Sequence, residues 1–417
     1  KFRSNPTIRR RRRAPAMAGG GAGSVVNGTA LRRDRVAVPA PLPDEVVQWE
    51  ILVRVPAKEL LRCRAACRSW RRLASDAAFL MAHHRRQPSL PLVFFRTRSN
   101  DYAAHAVVDA LDIRRTPAAR RPVLGFDDYN KSRRSFTIHA SCDGLLLLSL
   151  SNHRFYICNP ATRQWLQLPD LTGGSVAALY PHRPSGDYRV LFWKYPDNKS
   201  CRVAYYVLTV SSFQGQQRCI GLPVASPSMN KDRSWWHLQA SEHPPLLLHG
   251  CLHWHAFNSK IVIFDTVAES FRWMQSPTAT SSAHLLQMDG MLGIGCIDTA
   301  TMTAKAWVLE DYEAEVWSSK YRTELPEEEM MEDGKCVQCL YGKVVSENGD
   351  MLLIGRICWS LSLFHCDNKG ELIQKFLWEN VDPKLLGISF KESLVRHPFF
   401  QRKDGSRVRL PRFLRGL

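Results

Sequence analysis

The sequence predicts an α+β chain in two parts, a small all-α unit near the N-terminus and a large all-β domain behind it. Three observations carry this. Residues 42–79 hold short apolar runs at helical spacing, broken by Pro56 and by the Ser75-Asp76 pair. From about 90 to 400, short runs of Val, Ile, Leu, Phe, Tyr and Trp alternate with turn clusters such as Asp143-Gly144, Ser185-Gly186-Asp187, Asn348-Gly349-Asp350 and Asn368-Lys369-Gly370. The same stretch also repeats itself in a degenerate way.

Ahead of the helical unit, residues 1–40 read as a disordered basic tail rich in Gly, Ala and Pro. Lys1, Arg3, Arg9 to Arg13, Arg32, Arg33 and Arg35 give ten positive charges against Asp34 alone, so about half of the net charge of +18 sits there. Met17 opens the segment MAGGGAG, and residues 1–16 are expected to lie upstream of the native start. Arg9 to Arg13 is compatible with a nuclear-import role, although short arginine runs arise by chance. With the tail set aside, the remaining excess is thinly spread and nucleic acid is not an expected partner.

A hydrophobic content of 45% with 10% aromatic residues suits a substantial core. The longest apolar runs, Leu145 to Leu148 and Leu90 to Phe95, fall far short of a membrane-spanning helix, so no membrane association is expected. Twelve cysteines are scattered through apolar contexts rather than set at framework spacings, the pattern of reduced thiols in a nuclear and/or cytoplasmic protein.

In the helical unit, Pro43 with Asp44 and Glu45 marks a helix start. Val47, Ile51 and Val55 recur at four-residue spacing with Leu52 beside them, which predicts one apolar stripe ended by Pro56. A second short helix carries Leu60 and Leu61, and a third carries Ala66, Cys67, Trp70 and Leu73 on one side, with Arg64, Arg68, Arg71 and Arg72 among or opposite them. So small a unit is marginal alone, and its spare apolar surface should meet a partner or the rest of the chain.

Leu42-Pro43, Ile51-Leu52, Val55-Pro56, Leu60-Leu61-Arg62, Cys67-Arg68-Ser69-Trp70 and Phe79, in this order and without a gap, resemble the F-box. Ala66 stands where a larger valine is usual, and Trp49 is bulky for a position that is often polar. The resemblance implies docking on the Skp-type adaptor of an SCF (cullin–RING) ubiquitin ligase. It makes Leu42, Pro43, Ile51, Leu52, Pro56, Leu60, Leu61, Cys67 and Trp70 the adaptor surface or its support, with Cys67 in a packing role.

In the β-rich region one repeat runs from Cys142 to Pro169 and a second surrounds Gly250, Trp254 and Ile261 to Asp265. Weaker copies lie at Gly290 to Trp307, at Gly349 to Trp378 and around Tyr188 to Leu222. The clearest copies stand roughly 50 residues apart, the period of kelch-like propeller blades. A β-propeller is therefore expected, with a Greek-key β-sandwich as the alternative. The DGLLLL strand, the hairpin from Tyr156 to Trp165 and Gly250-Cys251-Leu252-His253-Trp254 resemble the F-box-associated region of plant F-box proteins. The expected division is a tail over 1–40, an F-box over 41–87, the β-domain over 90–400 and a basic C-terminal tail over 401–417.

No constellation in the chain predicts catalysis, a metal or a cofactor. His249, Cys251, His253 and His255 alternate along one strand face, but neighbours about 6.5–7 Å apart on a strand cannot wrap a zinc that needs ligands at about 2 Å. Cys336-x-x-Cys339 has no second pair and reads as entry into a strand. Cys63 and Cys67 lie one helical turn apart near His83 and His84, yet Cys67 is already used in the stripe. The acidic run from Glu327 to Asp333 reads as a solvated loop, and Trp165 and Trp378 as packing between blades. Trp235 and Trp236 follow a polar stretch and are the candidate substrate-contacting residues, on loops such as Pro227 to Trp236 or the one at Glu327.

The expected function is that of a non-catalytic subunit whose F-box docks on the Skp-type adaptor, and through it a cullin–RING scaffold, while the β-domain captures an unknown protein substrate for ubiquitination. The alternative is a lectin-like or small-molecule-sensing β-domain. A galactose-oxidase-type enzyme lacks an identifiable metal set.

Overall fold

Asp143-Gly144, His249-Gly250 and Asp289-Gly290 each have positive φ at both positions, between 50° and 81°, the two-residue turn whose twist matches an antiparallel hairpin. Such turns punctuate the strands of the computed structural model. It describes residues 42–97, 106–126, 136–150, 154–171, 173–196, 203–211, 217–221, 238, 244–256, 260–330, 338–357, 360–378, 381–400 and 411–414. The chain divides into two compact units, Lys1–Pro43 and Asp44–Leu417. In the first only Leu42 and Pro43 are described, both exposed.

The β-domain begins with β1 (Ser89–Thr97), β2 (Ala106–Asp112) and β3 (Ala119–Phe126). Five four-stranded meanders follow. They are β4 (Phe136–Cys142), β5 (Leu145–Leu150), β6 (Arg154–Asn159) and β7 (Gln164–Gln167); then β8 (Ser175–His182), β9 (Asp187–Lys194), β10 (Ala204–Thr209) and β11 (Gln217–Gly221). Next come β12 (Leu246–Leu248), β13 (Cys251–Ala256), β14 (Lys260–Asp265) and β15 (Ser270–Gln275). The last two are β16 (His284–Met288), β17 (Met291–Asp298), β18 (Thr303–Asp311) and β19 (Val316–Glu324); and β20 (Gln338–Val344), β21 (Met351–Ile357), β22 (Ser360–Cys366) and β23 (Leu372–Phe376). The final strand, β24 (Val381–Lys391), returns to pair antiparallel with β1 and completes the first sheet in the order β24-β1-β2-β3.

Among the described residues there are thus six four-stranded sheets, and six apolar clusters join each to the next. Leu146 and Leu148 pack on Val108 and Leu124 of the first sheet, while Leu145 and Leu147 pack on Val176 and Phe192 of the third. Both faces of β5 are buried, which explains a continuous leucine run where a half-buried strand would alternate. Further clusters join Tyr205 to Trp254, Ile263 to Ile294, and Ile297 to Phe364. The sixth brings Leu352 and Leu363 back to Val93 and Leu111 of the first sheet. The interfaces close into a ring, so the domain is a six-bladed β-propeller and not the alternative sandwich. The inner strands β4, β8 and β24 touch around the axis, as do β12 and β16.

Trp165 packs against the cluster between the first two blades and Trp378 against that between the sixth and first, the interblade packing expected of them. Two expectations need correction. Glu327 to Met330 is a helical turn with Met330 buried, because that apolar side chain reaches the core between the fifth and sixth blades; 331–337 lie outside the described residues. In the stretch expected as a basic C-terminal tail, Phe413 and Leu414 are fully buried against the first blades, since Phe413 stacks edge to face on Tyr156 at 5.6 Å.

The helical unit holds α1 (Asp44–Val46), a widened π-turn over Val47–Ile51, a tight turn over Leu52–Arg54, α2 (Ala57–Cys63), α3 (Arg68–Leu73) and α4 (Ala77–Arg86). The π-turn takes Ile51 out of the expected stripe, while Val47 and Val55 pack against the helical core as expected. An extra residue in that turn rotates Ile51 outward, to 44% exposure, and swings Leu52 and Val53 into the core.

Candidate docking surface

The nine residues expected to form or support the docking surface separate into two groups. Leu52 and Leu60 are 3% and 1% exposed and form, with Val53, Ala57, Ala74, Phe79 and Leu80, the core of the helical unit. They are support. Ile51, Leu61 and Cys67 are exposed, as are Leu42 and Pro43 in the other compact unit, and Pro56 and Trp70 are half-buried. Trp49, singled out only as a departure, is 40% exposed and meets Phe79 edge to face at 5.7 Å. Val46 and Met81 are exposed apolar residues that the sequence reading did not single out. Of thirteen exposed large apolar side chains among the described residues, Val46, Trp49, Ile51, Leu61 and Met81 fall within the short helical unit, while seven are spread over the much longer ring, so exposed apolar side chains are densest on the helical unit.

Cys67 needs correction. It does not share a helix with Cys63, because α2 ends at Cys63 and the chain turns before α3. Cys67 is the N-cap of α3, with extended φ and ψ of −152° and 168°, and its Sγ accepts from the Trp70 N–H at 3.4 Å. The hydrogen bonds from Ser69 and from the Trp70 backbone lower its pKa. Its role is a cap on the surface and not packing. His83, expected near this pair, instead meets the Val55 carbonyl at 2.8 Å.

Charge around the apolar residues is mostly positive. Arg54 pairs with Glu50 at 2.5 Å and Arg62 with Glu59 at 2.8 Å, while Arg68, Arg71 and Arg72 remain exposed on α3. An acidic partner surface would be steered toward them.

A seam that sequence patterning did not show fixes this surface to the ring. Leu394 lies in the core of the helical unit, with Val395 and Ala161 packed against it. Glu392 accepts from the Ala57 N–H at 3.3 Å through its side chain, and its carbonyl meets His84 Nδ1 at 2.9 Å. Lys391 donates to the Arg85 carbonyl at 2.8 Å, and Asn159 to the Ser393 carbonyl at 3.0 Å. Gly144 has φ of 81°, and a Cβ there would lie 2.2 Å from that of Ser393, so the close approach needs glycine. Burial would raise the Asp143 carboxyl, but His84, with Nε2 3.6 Å away, and the hydrogen bond from the Tyr188 hydroxyl outweigh it and hold the group below its usual range. Burial holds His397 down to about 4.

His249, Cys251, His253 and His255 do not converge. His253 bonds Tyr312 Oη at 2.7 Å and His255 bonds Ser276 Oγ at 3.2 Å, while His249 sits in the turn before β13. No group of three metal-ligating side chains occurs among the described residues. Cys339 stands in β20, while Cys336, Trp235 and Trp236 lie outside the described residues.

A family model described as the F-box associated beta propeller domain matches residues 123–401, and one described as F-box-like matches residues 40–87. F-box protein At5g49610 of Arabidopsis thaliana is 26% identical over 308 residues, covering 67% of this chain and 78% of that protein. F-box protein CPR1 of the same plant is 26% identical over 317 residues, covering 69% and 74%. Among solved structures, the Cps50 (Swd1) beta-propeller domain of Myceliophteria thermophila aligns with 67% of this chain and 83% of its own at 8% identity. Its TM-score of 0.35 is too low to add to the ring seen in the sheets.

Proposed function

The chain belongs to the F-box associated beta propeller family, with an F-box-like unit ahead of the ring, and from that premise we propose that it is the substrate-recognition subunit of an SCF-type ubiquitin ligase. The helical unit docks on a Skp-type adaptor and through it on a cullin–RING scaffold, and the propeller holds the target. One observation carries this reading: Trp49, Ile51 and Leu61 face solvent while Leu52, Leu60 and Phe79 behind them are anchored to the ring.

The mechanism is proximity. A target lysine held on the same compact unit as the helical segment meets the ubiquitin-loaded conjugating enzyme at high effective concentration, and no side chain of this chain needs to take part in the transfer. The fastening matters, because a loose joint would lower that effective concentration. Action in the nucleus and/or cytoplasm is part of the proposal, and the free thiols of Cys63, Cys67, Cys142, Cys158, Cys219, Cys251 and Cys296 agree with a reducing compartment.

Affinity purification of the full chain from plant cells tests this, with Trp49→Ala/Leu61→Ala alongside. Adaptor and cullin are expected with the wild type and strongly reduced with the double variant. Their absence from the wild-type sample would refute the docking role.

A further inference from the structure

β24 runs 11 residues from Val381 to Lys391, and the segment just past its end anchors the helical unit. At about 3.3 Å per residue, Lys384 near its start lies roughly 23 Å along the strand from Lys391. Around that start opens a cavity of about 940 Å³, walled by the first residues of β4 and β24, the last part of β1 and β20.

The walls are of two kinds. Phe94 and Phe136 meet edge to face, 5.4 Å between centroids, on the apolar side. Arg96, Lys343 and Lys384 give three cations against one lining carboxylate, Asp382, which already pairs with Arg96 at 3.5 Å.

Lys343 stands out. Among the described residues its ammonium has no hydrogen-bond or carboxylate partner, only the Tyr341 ring at 5.7 Å. It lies against β24, where a Cβ on Gly387 would come 2.2 Å from Nζ; with φ of 69° that position is suited to glycine, which leaves the space to the lysine head. Burial draws its pKa down to about 8, and the adjacent His284 is held neutral at about 4 by burial and by the lysine's charge. A partly desolvated cation without a counter-ion is costly, and an arriving anion relieves that cost.

We propose that this cavity is the target-binding site, and that it takes an acidic peptide segment, with an Asp or Glu carboxylate on Lys343 and Lys384 and an adjoining apolar side chain against Phe94 and Phe136. This rests on the reading of the ring as the target-capturing part. The volume is near the upper end of the roughly 300–1,000 Å³ usual for ligand sites. A lone small anion would leave most of it wet, whereas an acid with an apolar neighbour satisfies both walls. Lys384 and Tyr341 are exposed at the mouth, so a continuous chain can enter. The site also stays open while the helical unit at the other end of β24 is docked.

An array of acidic–apolar peptides, each beside its Asn/Gln counterpart, tests this with the full chain. Acidic members should bind about tenfold tighter than their amide partners, and Lys343→Met should erase the preference while Lys343→Arg keeps most of it. Should Lys343→Met fail to fold, the exposed Lys384→Gln carries the same expectation with a smaller loss. Equal binding of acid and amide peptides, no binding by any peptide, or an unaltered preference in a folded variant overturns the proposal. Displacement by inorganic phosphate or free glutamate at lower concentration than the peptide assigns the cavity to a small anion and overturns it as well. Adaptor capture by the same preparations should be equal for wild type and Lys343→Met. Its absence in both would sink the ligase reading and leave the peptide result standing.

Discussion

Leu52 and Leu60 in the helical unit and Leu146 and Leu148 in the ring are equally buried, but by different means. The ring leucines lie between two sheets, each of which is covered again by the next, so every blade hides its faces on its neighbours. The helical leucines sit in a small core completed by Leu394, from the segment that follows β24. Once that core is full, Trp49, Ile51 and Leu61 remain outside. A closed ring hides its apolar faces between blades and leaves only scattered residues such as Val267 and Val316 outside, whereas a small helical unit cannot avoid exposing several in one short stretch. The exposed apolar surface of the helical unit is a consequence of size as much as of motif.

Acid should erase the difference and unfold both parts. His139, His253 and His284 in the ring and His397 at the seam are held at about 4, chiefly by burial. The folded chain keeps them neutral while the unfolded chain takes up protons below about 6.5, so stability is level above that pH and falls as pH drops toward 4. Each site contributes about 1.4 kcal/mol per pH unit across that window. Denaturant midpoints measured from pH 7.5 to 4.5 should decline from about 6.5 downward; a flat profile would contradict the buried, neutral assignment.

Phe79→Ala separates the two regions. Its fully buried ring supports Trp49 on one side and the core on the other, and its loss should cost about 3–5 kcal/mol. Hydrogen exchange should show α2 and α4 losing protection while β5 and β17 keep theirs. In the ring, Glu269 accepts from Arg189, Arg218 and the Tyr180 hydroxyl, with a side chain only 7% exposed. Glu269→Gln should cost about 2 kcal/mol in thermal unfolding, since charge-assisted bonds become neutral ones, and leave adaptor binding alone. The smallest effect is at the α3 cap: Cys67→Ala should lower the Tm slightly and Cys67→Ser should not, because the hydroxyl keeps the bond to the Trp70 N–H.

Much of this was legible in local pattern. Asp143-Gly144 and the doubly buried Leu145 to Leu148 run announced a blade, and the order from Leu42 to Phe79 announced the F-box-like unit. What stayed hidden was non-local or stereochemical. Leu90 pairs with Phe390 across the closure of the ring, and no periodicity links two segments 300 residues apart. Likewise, nothing in the local pattern of Glu392 and Leu394 shows that folding brings Glu392 to Ala57 of α2 and His84 of α4 and Leu394 into the helical core. The π-turn was also invisible, because Val47, Ile51 and Val55 fit an ideal helix, and only the inserted residue turns Ile51 outward. Lys343 gave no signal, since a lysine's surroundings depend on which strands meet at the axis.

The central claim is that the exposed apolar residues of the helical unit, and not those of the ring, bind the adaptor. Calorimetric titration of a purified Skp-type adaptor tests it directly, comparing Ile51→Glu/Leu61→Glu with Val267→Glu/Val316→Glu, which alters exposed apolar residues on the ring. Both variants should melt close to wild type. The account predicts binding lost in the first and unchanged in the second; equal binding by both, or loss confined to the ring variant, would contradict it.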